Sequence, residues 1–199
     1  MSLSDFDRAF TSKVKAWFSN TIYAPTDTLY NVAFHLADGD SLKEALSFPL
    51  IGIYRPSGFN LNETQTFAAR RSGVEYYYDD VNNKGGFARF LSVNLPYQLD
   101  IYAKTPESLN SITEQVMFAL NLDQKLSVTQ TDSENEKDYV ESYDITYASG
   151  PVEQSEFSDD DRVFHYSIAY DIKNARILNF KDILDVTSVI NDIDIEEET

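Results

Sequence analysis

The stretch from Arg162 to Lys173 constrains the fold more than any other. Phe164, Tyr166, Ile168, Tyr170 and Ile172 take every second position, against Val163, His165, Ser167, Ala169 and Asp171. Side chains along a strand alternate between two faces, so this pattern specifies a strand with one apolar face. It also fixes the register, because a slip of one residue would expose the whole apolar set. Tyr139 to Tyr147 reads as extended as well, and the two stretches should pair antiparallel. The connector between them, SGPVEQSEFSDDD, holds turn residues and too much charge for a core element.

A second unit lies upstream. Leu95, Tyr97, Leu99 and Ile101 alternate on one strand face, and the strand runs into Lys104-Thr105-Pro106-Glu107. Thr105 is a suitable N-cap and Pro106 a suitable first helical residue, where its missing N–H costs nothing. Leu109, Ile112, Val116, Ala119 and Leu120 then form a core stripe at helical spacing, with Asn121 as the stop and a strand from Leu126 to Gln130 after it. At the N-terminus, Phe6, Phe10, Val14, Trp17 and Phe18 recur at helical spacing from Ser4 to Phe18. Asp5 and Asp7 stand near the start of that helix, where its dipole favours acids. Leu29 to Leu36 and Phe48 to Tyr54 read as strands, with a short helix over SLKEAL between them.

Residues 55–87 hold Pro, Gly and Asn without a sustained period and read as a long excursion or loose hairpin. Arg70 and Arg71 lie opposite the aromatic and acidic cluster Tyr76, Tyr77, Tyr78, Asp79 and Asp80, which suggests a strand pair with an interaction surface. From Asn174 onward the pattern weakens, with Ile177, Leu178, Phe180, Ile183 and Leu184 scattered among polar residues. An apolar tail that does not bury itself locally is suited to packing on a neighbouring subunit. The predicted fold is therefore α+β: a mainly antiparallel sheet packed against two helices, with a hairpin-like insertion at 55–87 and an extended C-terminal arm. Residues 1–180 form a single domain and 181–199 the acidic arm.

Composition narrows the function. With 42% apolar residues, 13 Phe and 13 Tyr, the chain has material for a real core. No apolar run approaches the roughly 20 residues that span a bilayer, and the N-terminus has no basic region followed by an apolar one, so neither a membrane span nor a secretory signal is expected. The absence of cysteine excludes disulfides, a thiol nucleophile and zinc–thiolate sites, and fits a reducing cytoplasm. Net charge is −17, and it is concentrated: residues 100–199 carry 23 acids against seven bases. That distribution argues against groove binding to nucleic acid and for a basic partner or a repulsive surface.

No catalytic constellation stands out. His35 and His165 lack the i, i+4 partner of a helical metal motif and read as packed or surface residues. Ser57 and Ser72 are not set in a nucleophile elbow. Lys84-Gly85-Gly86 has the wrong order for a phosphate-binding loop. Asp159, Asp160 and Asp161 lack the alternate spacing of a calcium loop. The expectation is a non-enzymatic chain with no metal and no cofactor.

Two quoted stretches resemble a known family. LPYQLDIYAKTPESLNSITEQVMFALN has a strand, a Thr-capped turn and an amphipathic helix, and is similar to the core strand-to-helix unit of bacteriophage tail-terminator and tail-sheath-stabilising (tail-completion) proteins. DITYASGPVEQSEFSDDDRVFHYSIAYDIKNARIL resembles the family's next feature, a strand, an acidic connector ending in Asp-Arg, and a long alternating strand. Together they cover about residues 90–180.

The resemblance implies a virion protein assembled in the host cytoplasm into a ring, commonly a hexamer, at the head-proximal end of the tail. Such a ring stops tube polymerisation, docks neck or connector proteins and, in a contractile tail, holds the last sheath ring. DNA passes through it without specific binding. On this reading Asp132, Glu134, Glu136, Asp138, Asp159, Asp160 and Asp161 are candidates to line the channel, where acids repel phosphates. Arg70, Arg71, Tyr76, Tyr77, Tyr78, Ile177, Leu178, Phe180, Ile183 and Leu184 are candidate intersubunit contacts. The alternatives are another head-to-tail adaptor or baseplate subunit, and a carbohydrate- or ligand-binding module that uses Tyr76, Tyr77 and Tyr78 as a stacking platform.

Overall fold

In the computed structural model, which describes residues 3–24, 48–56, 60–61, 72–79, 84–132, 137–154, 156–157 and 162–179, the alternating stretch is a strand of 18 residues, Arg162–Asn179. In chain order the elements are α1 (Leu3–Trp17), β1 (Thr21–Ala24), β2 (Leu50–Tyr54), β3 (Asn60–Leu61), β4 (Ser72–Asp79), β5 (Lys84–Ala103) and α2 (Pro106–Leu122). Strands β6 (Lys125–Asp132), β7 (Lys137–Glu153), β8 (Glu156–Phe157) and β9 (Arg162–Asn179) follow. The main path through the sheet is β1-β2-β5-β9-β7-β6, with β3 and β4 added to β5 and β8 to β9. The fold is α+β, as the sequence predicts. The sheet is mixed, because β1 runs parallel to β2 while the other described pairs are antiparallel.

The core sits on one face of β5 and β9. Leu95, Tyr97, Leu99 and Ile101 are all fully buried there, and the register sets Leu99 beside Ile168 and Tyr97 beside Tyr170. Phe6, Phe10 and Val14 of α1 and Leu109, Val116 and Leu120 of α2 join the same cluster. The Phe10 and Tyr97 rings lie 4.6 Å apart and the Phe6 and Tyr143 rings 5.2 Å apart. Each such large apolar side chain contributes about 1.5–3 kcal/mol through its removal from water. Helix α1 touches both β1 and β6, the two ends of the sheet path, so the sheet curls around the helix. At the β6 end Lys13 secures it: its Nζ pairs with the Asp123 carboxylate and donates to the Lys125 carbonyl at 2.7 Å.

Helix α2 starts as its sequence predicts. Thr105 is extended, and its Oγ1 accepts the Ser108 N–H at 3.2 Å, with Pro106 next in the first turn. The helix runs one residue past Asn121, and the Asp123 N–H closes it on the Ala119 carbonyl at 3.1 Å.

One expectation takes a definite form and two need correction. Strand β5 begins at Lys84, so Gly85, Gly86 and Phe87 belong to a hairpin with β4, in line with the hairpin-like strand pair expected within 55–87. Backbone pairing with β4 supplies the order that a side-chain period would otherwise announce. The connector after Tyr147 is largely strand too: Ser149–Glu153 continues β7 and Glu156–Phe157 forms β8. Of its charges, Glu153 is exposed on β7, where it costs little. Irregularities beside Ser149 let β7 follow β9. At Gly150 φ is +111°, and a Cβ there would lie 2.7 Å from the Ser167 carbonyl oxygen, so only glycine fits.

Finally, β9 continues to Asn179 where an extended arm was expected from Asn174. Asn174 has φ +54°, and its N–H donates to Asn94 Oδ1 at 3.1 Å, opposite the register shift in β5 between Val93 and Leu95. This irregularity breaks the period of two, so Ile172 and Ala175, three residues apart, are both buried. The predicted strand over Leu29–Leu36, the helix over SLKEAL and the arm 181–199 lie outside the described residues.

Candidate functional site

Of the acids expected to line a channel, Asp138 is exposed on β7, where the Thr131 hydroxyl donates to its Oδ1 at 2.7 Å. Asp132 closes β6 opposite Lys137, while Glu134, Glu136, Asp159, Asp160 and Asp161 lie outside the described residues. Of the expected intersubunit contacts, Tyr76, Tyr77 and Tyr78 stand on β4 opposite Phe87, Gly86 and Gly85. Arg70, Arg71, Phe180, Ile183 and Leu184 fall outside the described residues. Ile177 and Leu178 are not part of a free arm. Both pair with β5, Ile177 packs against the main core, and Leu178 is buried against Phe90 and Tyr139 of its own chain. Leu178 therefore has no surface to offer a neighbour.

Two buried polar clusters flank the core. Asp7 lies on the apolar face of α1 and is itself buried. Arg55 grips it from just beyond β2, with Nε donating to Oδ1 at 2.8 Å and Nη2 to Oδ2 at 3.2 Å, while the Tyr97 hydroxyl donates to Oδ1 at 2.6 Å. Burial, reinforced by the Asp7 charge, raises the Tyr97 hydroxyl far above the ordinary tyrosine range. Burial and a hydrogen bond to Asp7 push Tyr23 up to about 12. The cluster thus joins α1 to β1, β2 and β5. The sequence carries a signal for it: Asp7 shares the helical stripe of Phe10 and Val14, a position that an acid occupies only with a partner.

The second cluster is on the opposite face of β5 and β9. His165 stacks on Tyr102 with ring centres 4.3 Å apart, and its Nε2 is 3.2 Å from Asp100 Oδ1, which also accepts from Gln98 Nε2 at 2.9 Å. His165 is therefore a packed histidine, in line with the sequence reading. Among the described residues, no three His, Asp or Glu side chains come together in a group that could hold a metal ion.

Among the described residues, apolar side chains also reach the surface, with Val140 and Val152 standing on β7 and others on the two helices. On α2, Phe118 is 69% exposed and Leu122 81% exposed, one turn apart and both outside the buried stripe. Trp17 is 56% exposed at the end of α1. It borders a groove of about 370 Å³ lined by Trp17, Phe18, Phe48, Pro49, Ile51 and Ile112. Asn20 shapes the rim by donating to the Pro49 carbonyl at 2.7 Å, and Lys104 Nζ lies 5.0 Å from the centre of the Phe48 ring. Trp17, read from spacing as a core residue, is thus a surface residue.

No family model and no curated protein matches the chain, so its exposed apolar side chains and its acidity are the features that bear on function.

Proposed function

We propose that this chain is a structural subunit of a tailed-phage virion, forming the ring that closes the head-proximal end of the tail tube and docks the neck or connector. It works through shape and surface complementarity, makes and breaks no bond, and uses no cofactor. The observation that carries the reading is the pair of separated apolar surfaces, Phe118 with Leu122 and the Trp17 groove, on a chain of net charge −17. Apolar side chains exposed to this degree mark protein contacts, and an acidic chain that exposes them is suited to assembly with protein rather than with DNA. The strand-to-helix unit β5–α2, with α1 and α2 on the core side of a largely antiparallel sheet, supports the family resemblance. The exposed Asp138 is consistent with an acidic passage that DNA does not stick to.

Tails assembled without this chain provide the test. Tubes that grow past their normal length are the expected result. Tails of normal length that fail to join heads would mark an adaptor instead, and tails normal in both respects would refute the proposal.

A further inference from the structure

The groove beside Trp17 and the projection on α2 fit one another in chemistry. The groove is lined largely by aromatic and aliphatic side chains, and one cation stands beside it: Lys104 Nζ lies over the Phe48 ring. The projection has the complementary character. Phe118 and Leu122 stand at i and i+4, the spacing at which a helix presents paired anchors to an apolar groove. Glu114, exposed one turn earlier on the same side, adds a negative charge, and α2 contains neither Lys nor Arg. An apolar pair led by an acid thus matches an apolar groove with a lysine at its edge.

The two features do not face the same way. Ile112 contributes to the groove, and Phe118 lies six residues further along α2, about 240° around the helix at the usual 3.6 residues per turn. One copy therefore presents its projection in one direction and its groove in another. We infer that a second copy of the chain occupies the groove, its Phe118 and Leu122 seated against Trp17, Phe48 and Ile112 and its Glu114 beside Lys104. A contact between two different patches is heterologous, and such contacts build closed rings when the rotation closes. The inference rests on the ring reading above and supplies its interface.

The test uses two surface substitutions in the full chain, F118E and W17E, with circular dichroism to establish that each variant folds. Wild-type protein should assemble beyond a dimer in mass measurements. Each variant alone should weaken self-association by roughly 30-fold or more, the loss expected for a central aromatic anchor. An equimolar mixture should recover a 1:1 heterodimer and nothing larger, because F118E keeps its groove, W17E keeps its projection, and one intact contact remains.

Since the chain has no native cysteine, a check that leaves the charge of the interface unchanged is available. The double variant S19C/L122C treated with a short thiol crosslinker should give a ladder of covalent oligomers, and either single variant should not. Wild-type assembly that survives both F118E and W17E would overturn this interface while leaving the ring reading intact. Assembly that stops at a dimer would overturn the head-to-tail arrangement. A wild-type chain that stays monomeric at every concentration would overturn the interface and the ring together.

Discussion

Replacing Asp7 with alanine separates two accounts of that residue. Asp7 follows the first turn of α1, and an acid that only complements the helix dipole is worth at most about 0.3–1 kcal/mol. The structure instead gives the Asp7 carboxylate two hydrogen bonds from Arg55 at 2.8 and 3.2 Å, one from Tyr97 at 2.6 Å and a further one from Tyr23. Alanine leaves the Tyr97 hydroxyl without its acceptor in the core, and leaves a guanidinium without its carboxylate at 17% side-chain exposure. Removing one partner of a buried pair costs about 3–5 kcal/mol, and the remaining access of Arg55 to water places this case near the lower end, about 3 kcal/mol. For a chain of this size each kcal/mol moves Tm by about 2–4 °C, so a fall of about 6–12 °C is expected. Asp7→Asn keeps an acceptor and should lose about half as much.

Urea unfolding followed by circular dichroism measures these losses, and a cycle with Arg55→Met measures the coupling. The double variant should lose less than the sum of the single losses by about 2 kcal/mol. A loss under about 1 kcal/mol for Asp7→Ala, or strict additivity in the cycle, would show that Asp7 acts through the dipole and refute the anchor.

Gln130 tests how β6 is tied to β9. Its Nε2 donates to the Arg176 carbonyl at 2.9 Å and its Oε1 accepts the Leu178 N–H at 3.1 Å, so Gln130→Leu should cost about 2–4 kcal/mol and speed hydrogen exchange at the Leu178 amide. Gly150→Ala should lower the urea midpoint, because it forces a Cβ to 2.7 Å from the Ser167 oxygen at φ +111°; the cost is about 1–3 kcal/mol. Alkaline pH should destabilise the chain. Burial, with Glu141 beside Tyr143, raises the Tyr97 and Tyr143 hydroxyls well above the ordinary value, and Tyr170 is pushed up to about 12, chiefly by burial. The unfolded chain therefore releases these protons first, near pH 10. The tyrosines' contribution is fully present below about pH 10 and is lost as pH climbs through the folded values. Urea midpoints measured across this range should fall with pH, and Tyr97→Phe should flatten the decline.

Much of the fold was legible because several elements bury one face only. Period two in Leu95–Ile101 and Phe164–Ile172 identified the central strands, and Thr105-Pro106 announced α2 through its cap. What escaped has a common physical cause: order supplied by backbone pairing, with no periodic side chains to signal it. Lys84-Gly85-Gly86 is strand because β4 pairs with it. Residues 174–179 are strand because β5 extends to meet them, past an irregularity that resets the alternation. A pattern search sees such stretches as loop or arm, and that is why Ile177 and Leu178 looked free.

The candidate site was legible in one half and opaque in the other. On α2, Phe118 lies half a turn away from Leu109, Val116 and Leu120, so an aromatic residue on the wrong side of an otherwise well-formed stripe was visible in the sequence alone. Trp17 gave no such sign, because it continues the spacing of Phe10 and Val14. Its exposure arises only where α1 ends and the chain turns into β1, leaving the indole at the rim of a groove built by β2 and α2. A projection is a property of one helix, and one helix can reveal it. A groove is made by the meeting of several elements, so its lining residues read as core until the fold shows that none of the described residues fills the space. The same asymmetry explains the value of the mixed-variant experiment: F118E alters a feature that the sequence itself sets apart, whereas W17E alters one that exists only after folding. Recovery of a heterodimer from the two variants therefore requires both the α2 stripe and the assembled groove to be as the structure has them.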